Sequence, residues 1–363
     1  MSSIETVSAT PSDPMDLIEA FYEHRGGSCR GETYLVLDTG NYITYAFRPE
    51  SRAIEWLVDR LAGDDWKSRL GVLAIEIVAS IPELLPFVPI LRSETLSVPV
   101  EDPFDVAVIG DRITMLGLDR GRVYTIATDD QAKLQREIER RKQLPDSINT
   151  APIVEDDPEY PYVIKEYLDG RELADPITEW DLLLDALEQL TALYETDRHR
   201  VETATAVRTL EAELTAGTET TEPVRSGLAL LDELELPPVL HRGSIHGDLH
   251  AGNVFINDAV YLLDWEDIRE DYVIDDFFRP FVIHQYNTPL HRLFVEMMDG
   301  RGTGGRIMAE YAQTIGPSAY GDSNTYSGLP LFYLLSLTAD VGTHGSLRGP
   351  CRELLSDVVS AYR

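Results

Sequence analysis

Between Phe104 and Leu168 the sequence runs as short apolar stretches cut by tight-turn residues, and after Gly170 that rhythm stops. FDVAVIG, RITMLGL and RVYTIAT are separated by Gly110-Asp111 and Asp119-Arg120-Gly121, which predicts an antiparallel meander. The segment DDQAKLQREIERRKQL (129–144) is acidic at its start and basic at its end, as a helix macrodipole favours. Its Leu134, Ile138 and, more loosely, Arg141 share a face. IVEDDPEYPYVIKEYLDGREL (153–173) then predicts two more strands around Asp157-Pro158-Glu159. From Gly170 the apolar period becomes helical. EWDLLLDALEQLTALYE (179–195) lines up Leu182, Leu183, Ala186, Leu187, Leu190 and Leu193. A surface helix and loop are expected over 202–223, a helix over 224–234, and successive helices beyond Asp276. Strands gathered before 168 and helices after it predict an α+β protein of two lobes. Residues 101–169 would form a small lobe with a five-stranded antiparallel sheet and one helix, and 170–363 a mainly helical lobe.

The first hundred residues read as an N-terminal extension and carry no motif with chemistry. A short helix is expected at Pro14–His24 after a flexible start. ETYLVLDTGNYITYAF (32–47) predicts a hairpin around Asp38-Thr39-Gly40-Asn41, and a helix follows at 49–62 with Ile54, Leu57, Val58 and Leu61 inward. The apolar run 70–91 contains Glu76, Glu83, Pro82, Pro86 and Pro89, which would break a spanning helix. It predicts a buried helix to about Ser80 and an extended connection, with a lipid contact through 70–91 left open. No repeat at a solenoid period is present.

Charge narrows the partners. The chain carries 63 Asp+Glu against 31 Lys+Arg, a net −32. That excess disfavours nucleic acid, whose binding needs cations on phosphates, and adsorption to anionic membranes. Lys67, Lys133, Lys142 and Lys165 are the only lysines, and an acidic, lysine-poor surface is the pattern expected of a halophilic protein in a salt-rich cytoplasm. Cys29 and Cys351 are too few and too far apart in sequence for a disulfide framework. MSSIETVSATPSDP lacks the basic and apolar regions of a signal peptide, so a cytoplasmic protein is expected.

The chemistry concentrates in SIHGDLHAGNV (244–254) and VYLLDWED (260–267). Metal-assisted hydrolysis would use GDLH, but the further Asp-x-His and Gly-Asn-His elements are missing, and Gly247 is a poor residue for a helical His246/His250 zinc pair. Phosphoryl transfer fits the spacing better. His-x-Asp-x-x-x-x-Asn is the pattern of a kinase catalytic loop, where the Asp accepts the attacking hydroxyl's proton and the Asn reaches magnesium. A second carboxylate must follow a buried strand, and Asp264 follows Val260–Leu263. Any one of these acids alone would more often cap a turn; together, at this spacing, they point to a site.

HGDLHAGNV followed by LLDWED resembles the aminoglycoside phosphotransferase and choline kinase family, whose kinase-like members phosphorylate small molecules. EYPYVIKEYLDGREL looks like that family's hinge strand, QREIERRKQL like its first helix, and DYVIDDFFRPF like its segment after the metal site. The resemblance spans about Phe104 to Arg279. It implies Asp248 as catalytic base, Asn253 and Asp264 as Mg²⁺ ligands, and His246 ordering the loop. Glu266 would lie near loop or substrate, and Asp275 or Asp276 would brace the loop through backbone N–H groups. The main chain of Glu166, Tyr167 and Leu168 would meet the base of ATP or GTP, and the acceptor would be a small hydroxylated molecule. His250 has no role in the pattern. Two departures stand out. The third-strand lysine that holds phosphates is replaced by Thr125, so its helix partner Glu137 is expected to find no lysine across from it, though Lys133 lies one turn away. Arg122 would emerge on the opposite face. The covering turn VIGDRI has a single glycine. The readings are therefore a small-molecule kinase or a kinase-like binding or regulatory module that has lost catalysis.

Overall fold

Eight strands of the N-terminal half pair into one antiparallel sheet, in the order β3-β1-β2-β4-β5-β6-β8-β7. They are β1 (Cys29–Asp38), β2 (Thr44–Phe47), β3 (Leu91–Pro99), β4 (Val106–Ile109), β5 (Arg112–Gly117), β6 (Arg122–Ala127), β7 (Ile153–Asp157) and β8 (Tyr162–Glu166). The structure, a computed structural model, describes residues 13–26, 28–38, 43–49, 51–61, scattered positions from 72 to 90, 91–128, 130–157, 160, 162–216, 221–283, 290–320, 326–339 and 348–363. The chain divides into two compact units, one of residues 1–139 with 151–168, the other of 140–150 with 169–363.

Period-2 alternation gives the sheet of the first unit two apolar faces. Tyr34, Val36, Ala107, Met115, Tyr124, Ile126 and Ile164 pack against Met15, Ile18, Phe21 and Tyr22 of α1 (Pro14–Arg25). Each such buried side chain contributes roughly 1.5–3 kcal/mol. Asp13 caps α1, its Oδ1 accepting from the Met15 N–H at 2.9 Å, with Pro14 in the first turn where no N–H is needed. The interleaved residues Leu35, Leu37, Tyr45, Phe47, Val106 and Leu116 meet Ala53 and Leu57 of α2 (Ser51–Leu61). On that face Ala127 and Val163 cluster with Leu134 and Ile138 of α3 (Gln131–Lys142).

The five strands and one helix expected over 104–168 form, and three further strands join them. β2 pairs along the edge of β4, Thr44 opposite Ile109 and Phe47 opposite Val106. The Tyr34 hydroxyl donates to the Phe104 carbonyl at 2.9 Å and Arg48 lies 3.4 Å from Asp105. The described strands β1 to β3 are thus continuous with β4 to β8 in one sheet. Alternation announces a strand but not its partner, which is why the sequence suggests a hairpin without placing it. The hairpin of 32–47 pairs Leu35 with Phe47 and Asp38 with Thr44, while its turn lies outside the described residues. Most of 70–91 does too. Among the described residues no helix is long and apolar enough to cross a membrane.

The second unit is mainly helical. It holds α4 (Trp180–Asp197), α5 (Thr203–Ala216), α6 (Glu222–Leu231), α7 (Ile274–Ile283), α8 (Leu290–Asp299), α9 (Gly302–Thr314), α10 (Gly316–Tyr320), α11 (Leu329–Ala339) and α12 (Arg348–Tyr362). The apolar face of α4 is buried as its spacing predicts, with Leu183, Ala186, Leu187 and Leu190 fully covered. α11 is apolar all round and sits inside the core. Two small sheets carry the loops of interest: β10 (His199–Glu202), β11 (Val239–Ile245) and β14 (Arg269–Tyr272) in one, β9 (Arg171–Glu172), β12 (Val254–Ile256) and β13 (Val260–Leu262) in the other.

Candidate active site

β11 delivers the loop that begins at His246, and the short hairpin β12–β13 returns the chain to Asp264. The hairpin register sets Val254 opposite Leu262, and the Leu263 N–H donates to the Asn253 carbonyl at 2.9 Å. Two oxygen-bearing side chains eleven positions apart therefore leave the same end of one hairpin. Asn253 is buried, and its Nδ2 donates to the Asp248 carbonyl at 2.9 Å, which fixes the turn between Asp248 and Asn253. Asp264 has φ 57° and ψ 72°, the one non-glycine residue with positive φ among those described. Aspartate tolerates this left-handed geometry better than most residues, and such outliers gather at functional sites. Glu266 follows in a 3₁₀ turn (Trp265–Asp267), its carbonyl accepting from Arg140 Nη1 at 3.1 Å.

His246 is fully buried beneath the loop. Its backbone N–H donates to Asp276 Oδ2 at 2.8 Å, and its Nε2 lies 2.8 Å from the Leu263 carbonyl. That carbonyl can only accept, so the Nε2–H tautomer is present and Nδ1 is left as acceptor for the Asp248 N–H, 3.4 Å away. Burial pushes the imidazole pKa down, keeping the ring neutral. Stacked obliquely on Trp265 at 4.6 Å, the ring ties the loop to the strand end that presents Asp264.

Asp276 receives both the His246 N–H and the Gly247 N–H, the latter at 3.0 Å, and the Tyr194 hydroxyl at 3.2 Å. Its neighbour Asp275 instead pairs with Arg279 at 3.0 Å and Arg269 at 3.1 Å. The brace expected from Asp275 or Asp276 is therefore Asp276. Gly247 has φ 84°, and a Cβ there would lie 2.2 Å from the Asp267 carbonyl oxygen, so only glycine fits. From the far side Arg269 Nη1 donates to the Gly247 carbonyl at 2.7 Å.

Asp248 projects from this braced loop with 29% of its side chain exposed. Burial raises its pKa from the ordinary 3.8 to about 6, opposed by the Arg279 guanidinium and assisted by the charges of Asp267 and Asp264. A carboxylate poised near neutrality suits a general base. Arg279 Nη1 stands 4.0 Å from Asp248 Oδ1, and its side chain is only 1% exposed. His250 Nε2 is 3.7 Å from Asp248 Oδ2, while its Nδ1 accepts from the Gly252 N–H at 3.0 Å and caps the turn. Arg269 and Arg279 belong to no motif. An arginine inside the apolar run FFRPF is the one sequence signal that could have found Arg279, because a charge buried there demands a partner.

In the first unit, the backbone amides of Glu166 and Tyr167 are engaged by the chain itself. The Glu166 N–H donates to the Pro152 carbonyl and the Tyr167 N–H to the Gly121 carbonyl, each at 2.9 Å. Glu137 corrects an expectation. Its carboxylate is buried at 3% exposure and meets two cations, Arg112 Nη1 at 3.1 Å and Lys165 Nζ at 3.7 Å. A lysine does reach Glu137, from β8 and not from β6. Thr125 is buried in β6, and Arg122 turns its Nη1 to the Gly121 carbonyl at 3.1 Å.

Comparison with known proteins places this geometry within a family. The model of the phosphotransferase enzyme family matches residues 117–298. The chain belongs to this family of phosphotransferase enzymes. No curated protein sequence matches it. Solved structures of similar fold include wild-type aminoglycoside 2'-phosphotransferase-IIIa in complex with GDP, at 14% identity and TM-score 0.44, over 70% of this chain and 90% of that one. A thermostable mutant of aminoglycoside phosphotransferase APH(4)-Ia in ternary complex with ADP and hygromycin B aligns at 13% identity and TM-score 0.40, over 69% and 90%. Choline kinase LicA from Streptococcus pneumoniae aligns at 11% identity and TM-score 0.42, over 69% and 90%.

Proposed function

We propose that the protein transfers the γ-phosphoryl group of ATP or GTP to a hydroxyl of a small molecule, an amino sugar, a sugar or a head-group alcohol. The observation that carries this is the Asp248 carboxyl, held on a loop braced by Asp276 and Arg269, with its pKa near 6. Ionised at neutral pH, Asp248 accepts the acceptor's proton as the oxygen–phosphorus bond forms and the nucleoside diphosphate leaves. Arg279 and the loop turn hold the carboxylate toward that task, and neutral His246 orders the loop without reacting.

Asn253 and Asp264 offer hard oxygen donors from one hairpin end, a donor set that suits Mg²⁺. When bound, Mg²⁺ would neutralise charge on the phosphates. The nucleotide base would be read by main-chain groups of Glu166 to Leu168. Glu266 would stand near the acceptor.

The second reading, a binding module without catalysis, is favoured by Thr125 in place of lysine. A turnover screen decides between them: nucleotide, Mg²⁺ and panels of amino sugars, sugars and amino alcohols. High KCl is used because a chain of net −32 repels itself at low ionic strength. Acceptor-stimulated nucleotide turnover is the expected result. Nucleotide binding without turnover for any acceptor would favour the module.

A further inference from the structure

We infer that Lys165 on β8 does the work of the lysine that β6 lacks, and supplies the cation that grips the nucleotide's phosphates. This rests on the kinase reading above. Phosphoryl transfer in kinases needs a lysine on the phosphates and a helix carboxylate that holds it in place. Here the carboxylate is present and the lysine's usual position is not. Glu137 lies on α3, nearly fully buried, where an ionised carboxylate is costly unless cations meet it.

Strand geometry shows how a residue on β8 can substitute. Thr125 stands opposite Val163, and Val123 opposite Lys165. Side chains two apart on a strand share a face, so Val163 and Lys165 point the same way. Val163 packs against Leu134 and Ile138, the residues that flank Glu137 on α3. Lys165 therefore leaves the sheet on the face that carries Thr125, one strand over and roughly 7 Å along. An extended lysine spans that offset, and its Nζ ends 3.7 Å from Glu137 Oε1.

The two cations divide the carboxylate and have different characters. Arg112 takes Oε2 at 3.1 Å, while Lys165 takes Oε1 at the longer distance. An ammonium carries three donors in no fixed plane, so one can stay with Glu137 while others turn to phosphate. Arg112, at the head of β5, holds Glu137 in place when Lys165 turns.

Calorimetry with Mg–ATP and with adenosine tests the assignment. Lys165→Met should weaken Mg–ATP binding by roughly 10- to 150-fold, the value of one charge-assisted hydrogen bond, with adenosine affinity unchanged. Adding Thr125→Lys to Lys165→Met should recover most of the loss. In the unaltered protein, Mg–ATP should protect Lys165 from amine acylation, and adenosine should not. With four lysines in the chain, peptide mapping reads that protection unambiguously and needs no folded variant. Mg–ATP bound by Lys165→Met as tightly as by the parent, or Lys165 acylated equally with and without Mg–ATP, overturns the assignment alone. A parent that binds no Mg–nucleotide overturns the kinase reading and this assignment with it.

Discussion

The loop at 246–253 and the cluster around Glu137 are both built from charged groups under cover, yet they are assembled in opposite ways. The loop and the hairpin that follows draw Asp248, Asn253 and Asp264 from seventeen consecutive residues. Its brace, Asp276, lies on the helix that follows, so the motif and its support arrive together. The Glu137 cluster draws Arg112, Glu137 and Lys165 from two strands and a helix, joined only by sheet register. A contiguous constellation can be read from spacing; one assembled through register cannot. Replacing a residue at a contiguous site removes its role, whereas a role at a register-built site can pass to a neighbouring strand.

The two regions should differ in how much they lose when a cation is removed. Arg279 is 1% exposed and makes two contacts with buried Asp275, at 3.0 and 3.4 Å. Arg279→Met leaves that acid with Arg269 alone and should cost about 3–5 kcal/mol of stability, measured by denaturant unfolding. Lys165→Met leaves Glu137 its closer partner Arg112 and should cost less. Equal losses at the two sites would break the comparison.

A smaller effect of opposite sign is expected at Asp248. Its folded pKa of about 6 lies above the ordinary 3.8, so the folded state holds the proton more tightly than the unfolded chain. The stability this gives is fully present below pH 3.8 and lost as pH rises through about 6. Above that, the ionised carboxylate strains the fold by on the order of 3 kcal/mol at most. Asp248→Asn should therefore melt higher than the parent at pH 8, with the gap narrowing as pH falls towards 4. A gap independent of pH would remove the burial argument for a poised base.

Much of both regions was legible beforehand, for physical reasons that differ. Turn residues and alternation marked the strands β4 to β8, and helical spacing marked α4, because local patterns decide local structure. The ordering role of His246 came only with the family resemblance, since a lone histidine before a glycine carries no such signal. The joining of β1 to β3 onto β4 was not legible, since alternation carries no address. Neither were Arg269 and Arg279, whose partners are acids and carbonyls brought near only by packing. Lys165 left a faint trace: in YVIKE a lysine shares a strand face with Val163, and a charge beside a buried residue asks for a counter-charge. Nothing along β6 or α3 points to it, because Lys165 sits on the neighbouring strand.

In the proposed reaction Asp248 acts on the acceptor while Asp264 acts on the metal. One paired measurement tests it: turnover and Mg–nucleotide affinity of Asp248→Asn beside Asp264→Ala, in high KCl with a responsive acceptor. Asp248→Asn should lose roughly 10²- to 10⁴-fold in turnover and keep its nucleotide affinity. Asp264→Ala should lose turnover and Mg–nucleotide affinity together. Turnover that survives Asp248→Asn, or the same loss of affinity in both variants, would contradict the division of labour.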